Sequence, residues 1–334
     1  NYGCYIGHTA LRLWAMGEDA YERDPTPTEV DAMTAAVADA LEAGAVGFAT
    51  SHSPTHNGAG GRPVPSRRAP IDEVLALARP LRDADRGVVA LLPGDGMTHA
   101  ETLDVWKAVR RPVTWTALLT VKGFPWHEEI ISSHDEWRRS GAQVWPQVSG
   151  RPLVFQMTMA DPFTLNMRES FRKLMDRPTS ERIKAYRDPQ WREAAREDLA
   201  GPAAMPVNWD ALSVAESAAH PELGGMGLRD LAEQRGQTML DAMLDVALDD
   251  DLGTRFNSVL ANNDPDAIAW LLPRDGVLIG LADSGAHVSQ LCDACFATDL
   301  LGNWVREQEV MPLERAVHKL TGEPAEVFGL HGRG

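Results

Sequence analysis

The chain has 334 residues, of which 44% are hydrophobic and 24% are charged, a composition typical of a globular protein. Its formal net charge of −16 would repel phosphate backbones and anionic lipid surfaces, so we expect neither nucleic acid nor a membrane as a partner. No apolar run approaches the roughly 20 residues that span a bilayer, and the 3 cysteines make no disulfide framework, so we expect a cytoplasmic protein.

The first fifty residues contain a strand, a helix and a second strand. The short apolar stretch Cys4–Ile6 predicts the first strand. Thr26 and Glu29 form a capping box around Pro27, which predicts the start of an amphipathic helix. The apolar run Ala45–Ala49 then predicts a second, buried strand.

The same alternation recurs further along the chain. Predicted helices at Ile71–Leu81 and Glu128–Arg139 lie among three apolar stretches that predict strands: Val88–Leu92, Val113–Leu118 and Ala142–Val148. Helices that alternate with apolar strands indicate a parallel sheet. No Gly-x-Gly-x-x-Gly follows a predicted strand, so the dinucleotide-binding version of such a sheet is disfavoured.

Three segments make up the predicted domain organisation. Residues 1–150 predict the first part of an α/β fold, a (β/α)8 barrel of the TIM type, which we expect to be incomplete at both termini. From 151 to 235 the alternation breaks down in Trp- and Pro-containing sequence, which we interpret as a helical insertion or lid. Residues 236–334 predict the last part of the barrel, with the apolar strand Val277–Leu281, and its closing helices.

Asp283 follows the predicted strand Val277–Leu281, at the end of a barrel strand where active sites are built. A carboxylate there could bind a metal ion and take a proton from metal-bound water. It could instead cap the next turn together with Ser284, as aspartate often does after strands. We favour the functional interpretation for Asp283, and His287 stays open between a site residue and a buried core histidine.

Four stretches resemble the N-acyl-D-amino-acid deacylases of the amidohydrolase superfamily, in the order in which that family has them. They are Gly7-His8 with Arg12, Gly44–Ser51 with the loop 53–66, Gly280–His287 with Leu291–Asp293, and the closing helices Leu313–Leu330. The similarity runs over nearly the whole chain. It implies a hydrolase that acts on carbon–nitrogen bonds other than peptide bonds, in linear amides such as N-acyl-D-amino acids.

By the family pattern, Asp283 is the general base and a ligand of a zinc ion that polarises the amide carbonyl. The resemblance and the position of polar residues in loops predict contacts to a small-molecule N-acyl amide from His8, Arg12, Ser51, Arg62, Ser284, His287 and Asp293. Two of these have equal alternatives, since Arg62 could belong to a solvated basic loop and Asp293 could be a charge at a helix start. Residues that form one site must lie close together in space. We therefore expect four residues that are far apart in sequence to meet at one end of the sheet: His8, Ser51, Asp283 and His287.

Two strand ends depart from the family pattern. Family members carry a histidine ligand after the strands that correspond to Val88–Leu92 and Val113–Leu118, where this chain has Leu-Leu-Pro-Gly and Thr-Ala-Leu. Aliphatic side chains cannot bind zinc, and a site normally needs three protein ligands and an open position. Because the first-strand ligands of the family are expected before Asn1, we predict that this chain alone holds no complete tight zinc site.

Two other functions remain open. A metal-poor barrel of the same fold could be a small-molecule binding protein or a hydrolase with different metal use, since fold does not determine function. Cys292 and Cys295 have the spacing of zinc and redox sites, which would suit a thiol oxidoreductase. No activating environment for these thiols is visible, so this hypothesis has the least support.

Overall fold

The structure is a computed structural model, and it describes residues 2–58, 61–166, 168–202, 207–282 and 294–332. These residues form two compact units. The first unit contains the described residues up to Arg151, those from Asp264 to Ala282, and those from Cys295 onwards, and the second runs from Pro152 to Asn263. Across the described ranges, no helix combines the length and the apolar character needed to cross a membrane.

The strands of the described residues are β1 (Tyr5–Gly7), β2 (Gly47–Ser51), β3 (Val88–Leu92), β4 (Val113–Trp115), β5 (Val144–Val148), β6 (Leu153–Thr158), β7 (Leu212–Glu216), β8 (Arg255–Ala261) and β9 (Leu278–Ile279). The α-helices are α1 (His8–Met16), α2 (Pro27–Glu42), α3 (Ile71–Asp83), α4 (Glu101–Val109), α5 (Trp126–Arg139), α6 (Glu169–Met175), α7 (Thr179–Arg187), α8 (Pro189–Ala200), α9 (Leu228–Arg235), α10 (Met239–Asp249), α11 (Pro265–Leu271), α12 (Phe296–Asp299), α13 (Leu313–Leu320) and α14 (Gly322–Val327). Shorter 3-10 helices lie at Gly17–Tyr21, Pro65–Arg68, Phe163–Leu165, Trp209–Ala211 and Pro221–Leu223, and Leu300–Glu307 is π-helical.

The first unit is built on one sheet with the strand order β1, β2, β3, β4, β5 and β9. Every neighbouring pair is parallel, which confirms the parallel strands predicted from the alternation. The spatial order follows the chain order, with β1 and β9 at the two edges. Both β4 and β9 are shorter than predicted, since their pairing ends before the apolar sequence does. The architecture is a mixed α/β fold with a parallel sheet and many helices.

Local sequence signals set the start of α2 in this unit. Thr26 Oγ1 accepts a hydrogen bond from the Glu29 backbone N–H at 3.3 Å. In return, Glu29 Oε2 accepts one from the Thr26 backbone N–H at 2.7 Å. Pro27 occupies the first helical position, so the predicted capping box is confirmed and α2 begins where the sequence indicates.

The two faces of the parallel sheet differ in character. Side chains alternate along a strand, and residues in register on parallel neighbours point to the same face. One registered row consists of Phe48, Val89, Val113 and Val144. It belongs to the hydrophobic core that the sheet shares with its helices. The next row consists of Ala49, Ala90, Thr114 and Trp145. This second row therefore points to the opposite face, where Ala49, Ala90 and Thr114 are short side chains that leave space beside Trp145.

The second unit has its own sheet, with β8 between β6 and β7 and both pairs antiparallel. Its core includes Phe171, Tyr186 and Phe256. We expected a helical insertion over 151–235, followed by the barrel from 236 onwards. The structure differs in two ways, because three strands accompany the helices and because α10 and β8 also lie in this unit. The strands of this sheet pair across long stretches of sequence, so a local pattern could not reveal their partners.

Candidate functional site

A cavity of about 360 Å³ lies at the carboxyl ends of the parallel strands in the first unit. Its lining includes side chains that follow β1, β2, β3 and β4 or lie near the end of β5: His8, Ser51, His56, Leu92, Thr116 and Gln147. The carboxyl end of a parallel sheet is where α/β proteins bind ligands. The volume falls within the range of roughly 300–1,000 Å³ that is usual for small-molecule sites.

His8 and Arg12 share one buried carboxylate beside this cavity. His8 Nε2 donates to Glu73 Oε1 at 3.0 Å, and Arg12 Nη1 donates to Glu73 Oε2 at 2.9 Å. His8 Nδ1 lies 2.8 Å from Thr50 Oγ1, which makes it the acceptor of that hydroxyl. Burial lowers the pKa of His8, although Glu73 acts in the opposite direction. The imidazole is therefore neutral, and it joins α1, β2 and α3.

Arg12 does not line the cavity, and it is fully buried. Besides Glu73, its guanidinium donates through Nη2 to the backbone carbonyl of Arg23 at 2.9 Å. A role for Arg12 in binding substrate stays a prediction that these contacts do not support, since they make Arg12 an anchor for the chain after α1. Arg12 lies one helical turn after His8 on α1. The side of α1 that carries Arg12 contacts Glu73 of α3.

Ser51 and His56 form a second polar pair, and both line the cavity. Ser51 Oγ and His56 Nδ1 are 2.7 Å apart. The Ser53 backbone N–H also donates to Ser51 Oγ, at 3.3 Å. Ser51 follows Thr50 in β2, so its side chain leaves the strand on the cavity side, whereas Thr50 faces His8 and the helices.

Arg62 lies away from the cavity lining, in the basic loop after β2. It donates to Glu18 at 3.1 Å and to Glu22 at 3.2 Å, and its guanidinium lies 3.9 Å from the ring centre of Tyr21. These contacts are exposed. A role for Arg62 in binding a substrate carboxylate stays a prediction that none of these contacts supports.

The predicted site residues that follow β9 lie outside the described residues. This covers Asp283, Ser284, His287, Cys292 and Asp293. The structure does bring His8 and Ser51 to one cavity. Their predicted convergence with the later motif stays a prediction.

The described residues do not fit a zinc centre. Within the ranges that the structure describes, no three His, Cys, Asp or Glu side chains are grouped closely enough to hold a metal ion. At the two strand ends where the family resemblance implies histidine ligands, Leu92 and Thr116 line the cavity. Neither an aliphatic side chain nor a lone hydroxyl replaces an imidazole as a zinc ligand.

Two residues of this region were missed by the sequence analysis. Glu73 lies in the first turn of α3, four and eight residues before Leu77 and Leu81, and so on the buried stripe of that helix. A charged residue at a buried helix position was the sequence signal that could have identified Glu73. Gln147 is a polar residue within an apolar strand, and its Nε2 donates to Thr114 Oγ1 at 2.6 Å on the cavity face.

Comparison with curated proteins gives relatives over the whole chain, whereas no protein-family model matches it. An uncharacterized protein of Mycobacterium tuberculosis is 27% identical over 362 residues, which cover 99% of this chain and 58% of the relative. The N-acyl-D-glutamate deacylase of Alcaligenes xylosoxydans xylosoxydans is 26% identical over 338 residues, which cover 100% of this chain and 57% of the relative. The chain thus spans less than two thirds of the length of these relatives.

Solved structures agree with this assignment at the level of the fold. The N-acyl-D-glutamate deacylase of Bordetella bronchiseptica, solved with zinc and a phosphonate inhibitor, superposes with a TM-score of 0.59 and 22% identity, covering 100% of this chain and 59% of that protein. A D-aminoacylase described as having a binuclear metal centre gives a TM-score of 0.60 at 22% identity, with the same coverage. The family resemblance that the motifs indicate is therefore confirmed, and the chain is similar in sequence and in fold to the D-aminoacylase-like amidohydrolases.

Proposed function

We propose that this chain carries an amide-hydrolysing site that acts on linear amides such as N-acyl-D-amino acids. The observation that carries the proposal is the cavity at the carboxyl ends of the parallel strands, in a chain that is similar over its whole length to an N-acyl-D-glutamate deacylase. The substrate class is a small molecule, as the cavity volume indicates. Because the chain spans 57% of that relative, the activity is proposed for the protein that contains it. A cytoplasmic location, expected from cysteine usage, belongs to the same proposal.

The parallel sheet is proposed to be part of a closed (β/α)8 barrel. In its support, the six strands of the sheet follow one another in chain order, as in a barrel, whereas a doubly wound sheet reverses its order at a switch point. In this arrangement, residues 152–263 are an insertion between β5 and the later strand β9.

Asp283 is the proposed general base. In the sequence it stands four residues after β9, which is a strand of the same sheet as the cavity. A carboxylate there would accept a proton from the attacking water and return it to the leaving amine. The proposed substrate contacts are the seven residues predicted from the sequence: His8, Arg12, Ser51, Arg62, Ser284, His287 and Asp293. Of these, His8 also joins β2 and α3 through Thr50 and Glu73.

Zinc is the cofactor that the resemblance implies, but no step is assigned to it because the described side chains do not fit a zinc centre. The aliphatic and hydroxyl side chains at the ends of β3 and β4 favour a second candidate. It is a metal-poor barrel that binds small molecules or hydrolyses them with different metal use. Metal analysis of the purified protein distinguishes these candidates, since a stoichiometric metal ion that is required for hydrolysis would exclude the second.

The substitution Asp283→Asn tests the base. The amide keeps the shape of the side chain but accepts no proton at neutral pH, so hydrolysis of N-acyl-D-amino acids should fall by about 10²–10⁴-fold while the thermal midpoint stays near that of the parent. Asp266→Asn, an exposed change in the first turn of α11, is the matched control. A variant at 283 that hydrolyses as fast as the parent would remove Asp283 from the mechanism. A parent that is inactive on every N-acyl amino acid would favour the binding protein.

A further inference from the structure

The Ser51–His56 pair has the geometry of a nucleophile and its base. We propose that Ser51 attacks the carbonyl carbon of a small acyl ester or amide, and that His56 takes its proton. This is a covalent route at the same cavity, and it does not depend on Asp283 or on the proposed amide substrate. It rests on the contacts of the two side chains and on their place in the cavity.

The hydrogen bonds at Ser51 Oγ are consistent with transfer of its proton to His56 Nδ1. Oγ accepts from the Ser53 backbone N–H, so its own hydrogen is available for His56 Nδ1 at 2.7 Å. Proton transfer to His56 requires the tautomer in which Nδ1 carries no hydrogen. A hydroxyl within hydrogen-bond reach of an imidazole acceptor is the arrangement that activates serine nucleophiles. The Ser53 N–H would also stabilise negative charge that develops on Oγ.

Hydrogen bonds fix the backbone that carries the two side chains. The Ser51 carbonyl accepts from Ser66 Oγ at 2.8 Å, and Ser51 is in register with Leu92 at the end of β2. The His56 backbone N–H donates to the Ser53 carbonyl at 3.1 Å, and its carbonyl accepts from the Val64 N–H at 3.2 Å. The strand end and the turn that carry the pair are therefore in place before a substrate binds.

The cavity beside the pair suits a small acyl group. Ala49, Ala90 and Leu92 give it an apolar lining of short side chains, and its volume is about 360 Å³. Thr116 and Gln147 line the same space and carry polar hydrogens that can bind a carbonyl oxygen. A short acyl chain with one polar carbonyl matches this lining better than a long or charged one.

The proposed reaction has two steps, acylation of Ser51 and hydrolysis of the acyl-serine, and it consumes only water besides the substrate. Ser51 Oγ forms a bond to the acyl carbon while its proton moves to His56 Nδ1. The bond from that carbon to the leaving nitrogen or oxygen breaks, and His56 gives its proton to the departing amine or alcohol. Water then attacks the acyl-serine ester and gives a proton to His56, which returns it to Ser51 Oγ as the carboxylic acid leaves.

A fluorophosphonate probe tests this proposal, because such probes form a covalent bond with activated serines. The purified full-length protein is treated with the probe, with and without a chelator, and the labelled peptide is identified by mass spectrometry. We expect the label on Ser51 under both conditions. His56→Gln should slow labelling by about 100-fold or more, since general base catalysis contributes about that factor. Ser132→Ala, an exposed serine on α5, is the matched control, and Ser51 should be labelled in it as fast as in the parent.

The labelling site of the parent protein decides the question even if a variant fails to fold. Absence of label, or label on another residue, would overturn the proposal, as would a Ser51→Ala protein that is labelled as fast as the parent. The result is separate from the proposed amide hydrolysis. Asp283→Asn can abolish hydrolysis of N-acyl-D-amino acids while labelling of Ser51 continues, and the reverse outcome is equally measurable.

Discussion

The two units of this chain bury cations in different ways. In the first unit, each of two buried cations has a carboxylate partner besides backbone carbonyls: Arg12 pairs with Glu73 at 2.9 Å, and Lys319 pairs with Glu323 at 3.0 Å. In the second unit, buried Arg168 donates to the carbonyls of residues 198, 199 and 201 at the end of α8, at 3.1–3.3 Å. A single substitution can remove a carboxylate partner, whereas the several carbonyl acceptors at the end of a helix belong to the backbone and remain.

The cavity of the first unit lies on the face of the sheet that carries uncharged side chains. The paired charges of this unit sit between the sheet and the helices, which leaves the opposite face of the sheet to small and uncharged side chains such as Ala90, Thr114 and Gln147. His8 lines this cavity and bonds to Glu73, so the buried charge lies next to the candidate site.

The largest expected effect is that of Glu73→Gln, which removes the charge shared by Arg12 and His8. Breaking a buried ion pair on one side costs about 3–5 kcal/mol, because the remaining charge stays out of water. We expect the free energy of unfolding, measured with urea, to fall by this order. Asp104→Asn is the control, since its pair with Lys107 is exposed and should contribute about 0–1 kcal/mol. Equal losses in the two variants would contradict the distinction between buried and exposed charge.

Acid should destabilise the first unit through His134. Its Nε2 accepts from Trp115 Nε1 at 2.9 Å and its Nδ1 donates to the Ile130 carbonyl at 2.9 Å, so the ring is held neutral. Burial lowers the pKa of His134 to about 4. The folded pKa is below the unfolded value, so this stability is complete above pH of about 6.5 and is lost as the pH falls towards 4, by roughly 3 kcal/mol in all.

Urea unfolding between pH 4 and 8 measures this loss. His134→Gln cannot titrate, so its unfolding free energy should depend less on pH over that interval. His318→Gln changes an exposed histidine on α13 and should leave the pH dependence of the parent unchanged. If His134→Gln keeps the full slope, the acid sensitivity comes from another group.

The smallest of the three effects is expected in the second unit, for Arg168→Met. The substitution keeps most of the apolar stem but leaves carbonyls at the end of α8 without their donor, at about 1–3 kcal/mol for a buried unsatisfied group. Amide hydrogen exchange should quicken in α8 and stay unchanged in α3 of the first unit. Arg172→Met, an exposed change on α6, is the control. Faster exchange throughout both units would show that the two are not independent in stability.

Much of the first unit could be predicted because its signals are local. Thr26, Pro27 and Glu29 are close in sequence and start α2 by themselves. The run Val88–Leu92 became β3 with the predicted bounds, since a short apolar stretch between helices is consistent with a buried parallel strand. The resemblance to N-acyl-D-amino-acid deacylases likewise rested on contiguous motifs.

The buried ion pair, the second sheet and the lining of the cavity depended on contacts between residues that are distant in sequence. Arg12 and Glu73 are 61 positions apart, and no local pattern shows that the helix carrying Glu73 covers the helix carrying Arg12. The antiparallel sheet of the second unit was missed for the same reason, because each of its strands is defined by its partner. Composition, helix starts and strand runs follow from the sequence, since they need only neighbouring residues. The tertiary structure decided which polar groups are buried together and which, such as Ser51 and His56, face the cavity, since that depends on how distant elements pack.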